Sequence, residues 1–97
     1  MYDYTLKEKN EMIDKFFHSK QPLSIIRFPK KQKYKFLCLL WIRDLFDSHQ
    51  EYSEKEVNKM IKPVYNDYAM VRRYLVDFNL LKRTKDGRVY WVEDPAI

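Results

Sequence analysis

Glycine is nearly absent from this chain of 97 residues, occurring once, at Gly87. A phosphate-cradling loop and a dinucleotide-binding fingerprint each need several glycines close together, so the sequence excludes both. Few turns can require a positive φ angle, because that conformation is costly for most residues other than glycine. The composition therefore favours helices joined by ordinary turns.

Cysteine and histidine are also scarce, with one cysteine and two histidines. A single cysteine excludes an internal disulfide framework and fits a reducing cytoplasm. Cys38 lies inside the apolar run Phe36–Ile42, which predicts a buried small hydrophobe rather than a nucleophile. His18 and His49 have no second ligand at metal spacing. We therefore predict a protein without catalytic residues, metal, cofactor or small-molecule ligand, and not an enzyme.

Long hydrophobic runs are missing as well. The run Phe36–Ile42 is far shorter than the roughly 18–20 residues of a membrane span. Residues Met1–Tyr4 hold no basic stretch leading into an apolar one, so no secretory signal is evident. A hydrophobic content of 45% is too high for a disordered tail. We expect one cytoplasmic domain over residues 1–97, with no membrane contact.

Positive charge is present in excess and is unevenly distributed. The net charge is +5. Arg27–Lys35 holds five basic residues and no acid, and Arg72–Arg88 holds six basic residues against two acids, so the remainder is net −4. A basic surface on a mildly acidic body attracts a polyanion, with nucleic acid the first candidate. The alternative is that these lysine-rich faces are simply solvated.

Two helices are predicted in the N-terminal half. Thr5 and Glu8 form a capping box that opens a helix over about residues 5–18. Its apolar stripe packs on the domain itself or on a second subunit, so a homodimer through this helix is one prediction. An extended stretch over residues 23–28 follows. A central helix over about residues 30–46 follows. Its first turn contains lysines, which the helix dipole disfavours, and an anionic partner would offset this cost.

Two further helices and a hairpin are predicted in the C-terminal half. Glu51–Tyr52 is a candidate short strand, and Ser53 with Glu56 forms a second capping box, for a helix ending near residue 61. Asn66 or Asp67 caps the next helix, which runs to about residue 78. Asn79 then takes a left-handed cap conformation. The Asp-Gly pair ending at Gly87 predicts a hairpin tip between strands at about 80–83 and 89–92.

This order of elements predicts an α+β, mainly α fold. It is typical of a winged helix-turn-helix with an extra N-terminal helix and a C-terminal two-stranded wing. The helix-turn-helix spans about residues 53–78 and the wing about 80–92. In that arrangement the second helix of the pair enters the major groove and the wing reaches the flanking backbone.

The candidate DNA-binding residues follow from this arrangement. Arginine can pair with guanine edges, whereas lysines and wing residues more often contact phosphates. The candidates are Lys30, Lys31, Lys33, Tyr65, Asn66, Met70, Arg72, Arg73, Arg83, Lys85 and Arg88. Alternatively, Arg72 or Arg73 holds the fold together by pairing with Glu56, Asp67 or Asp77. The wing aromatics Tyr90 and Trp91 are expected in the core rather than stacked on bases.

Four blocks of sequence also resemble a known family. They are Phe28–Lys33, Tyr52–Asn58, Asp67–Asp77, and Asp86–Gly87 with Tyr90–Trp91. In this order, over about residues 5–92, they are similar to the bacterial domain of unknown function 2087 family. The resemblance implies a winged-helix-like, DNA-associated bacterial transcriptional regulator and supplies no ligand. Asn79 departs from the glycine usual in that family, but asparagine can adopt the same cap.

Two functions from different classes remain open at this point. The first is a DNA-binding transcriptional regulator that uses the fourth helix, the wing and the lysine-rich helix start. The second is a non-enzymatic protein-interaction module of a regulatory complex, since winged helices also serve that purpose. Exposure of Arg72 and Arg73 on one face with the lysines would favour the first, and their burial in ion pairs would favour the second.

Overall fold

The N-terminal helix and a hairpin that follows it come first. A computed structural model describes residues 2–93. Helix α1 spans Leu6–Phe16, and the predicted capping box is present: Thr5 Oγ1 accepts from Glu8 N at 3.1 Å and Glu8 Oε1 accepts from Thr5 N at 3.0 Å. The expected end at residue 18 was wrong, because Phe17 is extended and begins strand β1, Phe17–Lys20.

Strand β1 pairs antiparallel with β2, Leu23–Ile25, across a turn that contains the cis bond between Gln21 and Pro22. The predicted extended stretch therefore ends early, at residue 25. Ile25 N donates to Val64 O at 2.9 Å, and Ile26 N donates to Phe16 O at 2.8 Å. These bonds attach the hairpin both to α1 and to the segment between the third and fourth helices.

Helix α2, Gln32–Arg43, is the centre of the core as predicted, although it is shorter at both ends than the expected 30–46. Its buried side chains are Phe36, Leu37, Cys38, Leu39, Leu40 and Ile42. Lys31 occupies the N-cap position without a side-chain hydrogen bond, and the first turn contains no acid. The basic start of α2 is therefore real, and its own side chains do not offset the helix dipole.

Helix α1 packs across α2 and buries Met12 and Phe16. Leu6 is the exception in the apolar stripe, because it is 73% exposed. The other apolar residues at helical spacing in this segment are half-buried (Ile13) or buried (Phe16 and Phe17). The homodimer through residues 5–18 stays a prediction.

Helices α3, Glu54–Ile61, and α4, Tyr68–Asp77, pack on each other with Val57, Ile61, Val71 and Leu75 buried. The second capping box is confirmed, since Ser53 Oγ accepts from Glu56 N at 3.1 Å and Glu56 Oε1 accepts from Ser53 N at 2.9 Å. Of the two cap candidates for α4, Asp67 takes the position and accepts from Met70 N at 3.2 Å.

The end of α4 is also as predicted, with Asn79 at φ 59°. That left-handed residue turns the chain so that the N–H groups of Leu80 and Leu81 both donate to Leu75 O, at 2.8 and 3.1 Å. Leu80 and Leu81 are thereby buried under α4. Asparagine thus does here what glycine usually does.

A three-stranded antiparallel sheet closes the described chain. Its order is β3, Glu51–Tyr52, then β5, Tyr90–Trp91, then β4, Lys82–Arg83. The predicted two-stranded wing was incomplete, because β3 pairs with the outer side of β5. Strand β3 lies where it was predicted, whereas β4 and β5 are two residues long, shorter than the predicted 80–83 and 89–92. We call the hairpin of β4 and β5 the wing; Gly87 lies in its connecting turn at φ 72°. Tyr90 is buried and Trp91 half-buried, in keeping with a core role.

The fold is α+β and mainly helical, with four helices and two small antiparallel sheets over residues 2–93. None of the helices in this part of the chain has both the length and the apolar character that crossing a membrane requires.

Candidate nucleic-acid interface

Helix α4 lies between two surface depressions that contain most of the candidate residues. On one side is the wing cleft, lined by Glu54, Arg72, Arg73, Val76, Asp77, Arg83, Asp86, Gly87 and Tyr90. On the other is the lysine groove, lined by Phe28, Pro29, Lys30, Lys35, Tyr65, Met70 and Tyr74. The start of α2 and the wing therefore both lie beside α4, where they border different residues of the helix.

Arg72 connects the two helices of the pair. Its Nη2 lies 2.9 Å from Glu54 Oε1, and its Nη1 donates to Asn58 Oδ1. The side chain is only 18% exposed. An ion pair was one of the two predicted roles, but the partners are not those named from the sequence. Because Glu54 and Asn58 both belong to α3, Arg72 fixes the angle between α3 and α4.

Arg73, the next residue, is exposed. It borders the wing cleft, and no carboxylate within the described residues forms an ion pair with it. A helix places consecutive side chains about 100° apart, which is why one arginine points to α3 and the other to solvent. The structure therefore gives these neighbours different environments, which spacing alone did not resolve.

The wing cleft as a whole is balanced in formal charge, with three arginines against Glu54, Asp77 and Asp86. Asp86 Oδ1 accepts from Thr84 Oγ1 at 2.6 Å and from Arg88 N at 3.0 Å. These bonds, Thr84 first, lower the pKa of Asp86 and keep it ionised. A carboxylate at the wing tip weakens the attraction that the wing cations exert on an anion.

The wing cations themselves are solvent-exposed. Arg83 and Lys85 form no ion pair with any of residues 2–93. Arg88 Nε is 3.6 Å from Asp86 Oδ2, but its side chain is 85% exposed. An exposed pair at that distance is weak, so Arg88 is still able to turn toward a ligand.

The lysine groove contains cations next to aromatic rings. Lys35 Nζ lies 4.8 Å from the centre of the Tyr74 ring. Phe28 packs its ring 5.5 Å from that of Tyr65 and 5.8 Å from that of Tyr74. Tyr65 and Met70 are half-buried and form the floor of the groove, while Asn66 is exposed at the start of α4.

The four lysines at the start of α2 differ in what they contact. Lys30 and Lys31 are exposed. Lys33 Nζ instead lies 2.8 Å from Glu8 Oε2, and this hydrogen bond is the first cause of the lowered pKa of Glu8. Lys35 was missing from the candidate set although it lies in the basic run. Its position relative to Tyr74, seven residues into α4, depends on how α2 and α4 pack.

Cys38 is fully buried, and burial raises the pKa of its thiol to about 12. It therefore stays a neutral thiol at physiological pH and packs as a small apolar side chain.

Residues 24–92 match the family model described as "Uncharacterized protein conserved in bacteria (DUF2087)". The chain belongs to the DUF2087 family. In structural terms the DUF2087 match begins inside β2 and includes α2, α3, α4 and the three-stranded sheet, whereas α1 and β1 lie before it. No curated protein and no solved structure matches the chain significantly.

Proposed function

We propose that this DUF2087 protein binds duplex DNA as a transcriptional regulator in the cytoplasm, acting by binding rather than by catalysis. Helix α4 would enter the major groove as the second helix of a winged helix-turn-helix. The wing and the start of α2 would contact the backbone on either side. The observation that carries the proposal is the position of α4, with Arg73 exposed, between cations of the wing and of α2.

The contacts within each depression divide the roles among the cations. Arg73 is available for a base edge because no carboxylate of the described chain holds it. Lys30, Lys31 and Lys35 on one side and Arg83, Lys85 and Arg88 on the other would contact phosphates. Lys33 is held by Glu8 and Arg72 by α3, so these two would position elements of the interface.

The direct test is a selection of bound fragments from random duplex DNA at low salt. The full chain is expected to retain duplex and to enrich a short motif, because phosphate attraction gives affinity and the exposed side chains of α4 give preference. Failure to retain any duplex at about 50 mM salt, where phosphate contacts are strong, would contradict the proposal.

Two variants separate base reading from backbone contact. Arg73→Ala should reduce the preference for the enriched motif over random duplex by about 1–3 kcal/mol, the usual value of a bidentate contact. Lys85→Ala should weaken both duplexes by the same factor. Fluorescence anisotropy with the two duplexes measures both quantities. If the two variants change the motif-to-random ratio equally, the assignment of roles is wrong.

The second candidate is a protein-interaction module of a regulatory complex, with no enzymatic role. The balanced charge of the wing cleft, the ion pair of Arg72 and the short strands of the sheet favour it. In that case the wing cleft would accept a partner that carries both charge signs. Selection of a DNA motif that depends on Arg73 would argue against this candidate.

A further inference from the structure

Three cations, one from α1 and two from the segment between β2 and α2, gather around one pair of aromatic rings. The rings of Phe16 and Tyr34 are 5.9 Å apart. Lys15 Nζ lies 5.3 Å and Lys31 Nζ 5.6 Å from the centre of the Tyr34 ring, and Arg27 Cζ lies 5.7 Å from that of Phe16. We call Lys15, Arg27 and Lys31 with these two rings the Tyr34 cluster. Lys15 belongs to α1, outside the segment that matches the family.

No carboxylate of the described residues lies within ion-pair distance of these three cations. Over residues 2–93, none of the three cations forms an ion pair, and all three side chains are exposed. The rings hold the cations near each other although like charges repel. Such a group attracts an added anion, because each ammonium or guanidinium group can donate a charge-assisted hydrogen bond to its oxygens.

A second pair of lysines beside an aromatic ring of α2 differs from the Tyr34 cluster because it includes an acidic partner. Lys9 and Lys20 lie 4.8 and 5.2 Å from the ring centre of Trp41, which is seven residues after Tyr34 and so on the same face of α2. There Asp44 Oδ2 accepts from Lys9 Nζ at 2.6 Å. The ring contacts alone are thus not distinctive. What distinguishes the Tyr34 cluster is that none of its cations forms such an ion pair with any residue from 2 to 93.

The Tyr34 cluster is continuous with the lysine groove beside α4. Lys31 directly follows Lys30, which lines that groove, and Arg27 directly precedes Phe28, which also lines it. One segment, residues 27–31, therefore joins the two surfaces. An extended polyanion bound in the lysine groove would therefore also reach the Tyr34 cluster. A small free anion would occupy only one of the two surfaces.

We propose that the Tyr34 cluster binds backbone phosphates of the same duplex that α4 enters, extending the interface onto α1. This inference rests on the proposed function. It adds Lys15 and Arg27 as binding residues, and it makes the helix that precedes the family match part of the DNA contact.

The test compares salt dependence among single variants on random-sequence duplex. Lys15→Ala and Arg27→Ala are each expected to reduce the slope of log affinity against log salt by about 0.9, the value of one phosphate contact on B-DNA. The ratio of motif to random affinity should stay unchanged, because phosphates carry no sequence information. Lys20→Ala is the matched control, since it also removes a lysine from a ring of α2, and it should keep the wild-type slope.

The outcomes separate the two proposals. If wild type binds duplex but Lys15→Ala and Arg27→Ala keep its slope, the cluster inference is overturned and the proposed function stands. If wild type binds no duplex at low salt, both are overturned. Lys15→Gln and Arg27→Gln guard against a folding effect. They must give the slopes of the alanine variants, with circular dichroism melts like that of wild type, for the inference to hold.

Discussion

Affinity for duplex DNA is expected to fall about a thousandfold when salt rises from 50 to 200 mM. The proposed phosphate contacts come from six cations, namely Lys30, Lys31, Lys35, Arg83, Lys85 and Arg88, and within residues 2–93 only the exposed Arg88 among them forms an ion pair. Each phosphate contact releases counterions and adds about 0.9 to the slope of log affinity against log salt, so six contacts give a slope of about −5. Phosphate contacts made by Lys15 and Arg27 of the Tyr34 cluster would make the slope steeper.

Anisotropy titrations of one labelled duplex at four or more salt concentrations measure this slope. The Asp86 carboxylate at the wing tip acts in the opposite direction, so Asp86→Asn should strengthen binding most at low salt. A slope near −1 would correspond to about one phosphate contact. It would contradict an arrangement in which the wing and the start of α2 both contact the DNA backbone.

Replacing Arg72 by alanine is expected to lower the free energy of unfolding by about 1–3 kcal/mol. The guanidinium joins Glu54 and Asn58 of α3 to α4, and with 18% exposure its stem is largely covered by protein. Because Glu54 is exposed, losing its ion pair lowers the free energy of unfolding only slightly. The larger part of the decrease comes from Asn58, whose side-chain oxygen is left without its partly buried donor. Arg72→Lys should recover little, because an ammonium group cannot span both partners in the same geometry.

Arg73→Ala is the matched control for this measurement, on the same helix and with the same change of side chain. Its exposed position predicts a stability change within about 0.5 kcal/mol. Urea unfolding followed by far-ultraviolet circular dichroism compares the two, at a common m-value. Equal losses would mean that Arg72 does not tie α3 to α4.

Local chemistry made the capped starts of α1 and α3 and the turns at Asn79 and Gly87 predictable. The capping boxes at Thr5 and Ser53 bond only over three residues, so the sequence itself contains both partners. Asn79 and Gly87 likewise take the positive φ angles that their side chains permit. At these four positions the deciding contact or conformation lies within one turn, and the prediction agrees with the structure.

Contacts between distant residues account for the errors. Phe16 and Phe17 both fit a helical stripe, but pairing with Ile25 pulls Phe17 into β1. The strand β3 was recognised as a short extended pair, yet Glu51 pairs with Trp91, which lies 40 positions further along. Propensity carries no information about such pairings, because tertiary packing decides them.

The candidate site shows the same division. The sequence placed cations on α4, the wing and the start of α2, and the structure brings these elements to adjacent surfaces. Spacing along the chain does not show which cations are held in ion pairs, because their acidic partners are distant in sequence. Glu8 lies 25 residues before Lys33, and Glu54 lies 18 residues before Arg72. The ring contact of Lys35 depends equally on how α2 and α4 pack.

The start of the family match within β2 has a consequence for any shortened form of this protein. A fragment beginning at Ser24 would contain only one strand of the N-terminal hairpin and would leave the surface of α2 under Met12 and Phe16 open to water. An unpaired strand edge beside fresh apolar surface is a template for self-association. The segment that matches the family thus omits α1 and β1, which pair with β2 and cover α2 in this chain, and we expect a fragment without them to self-associate.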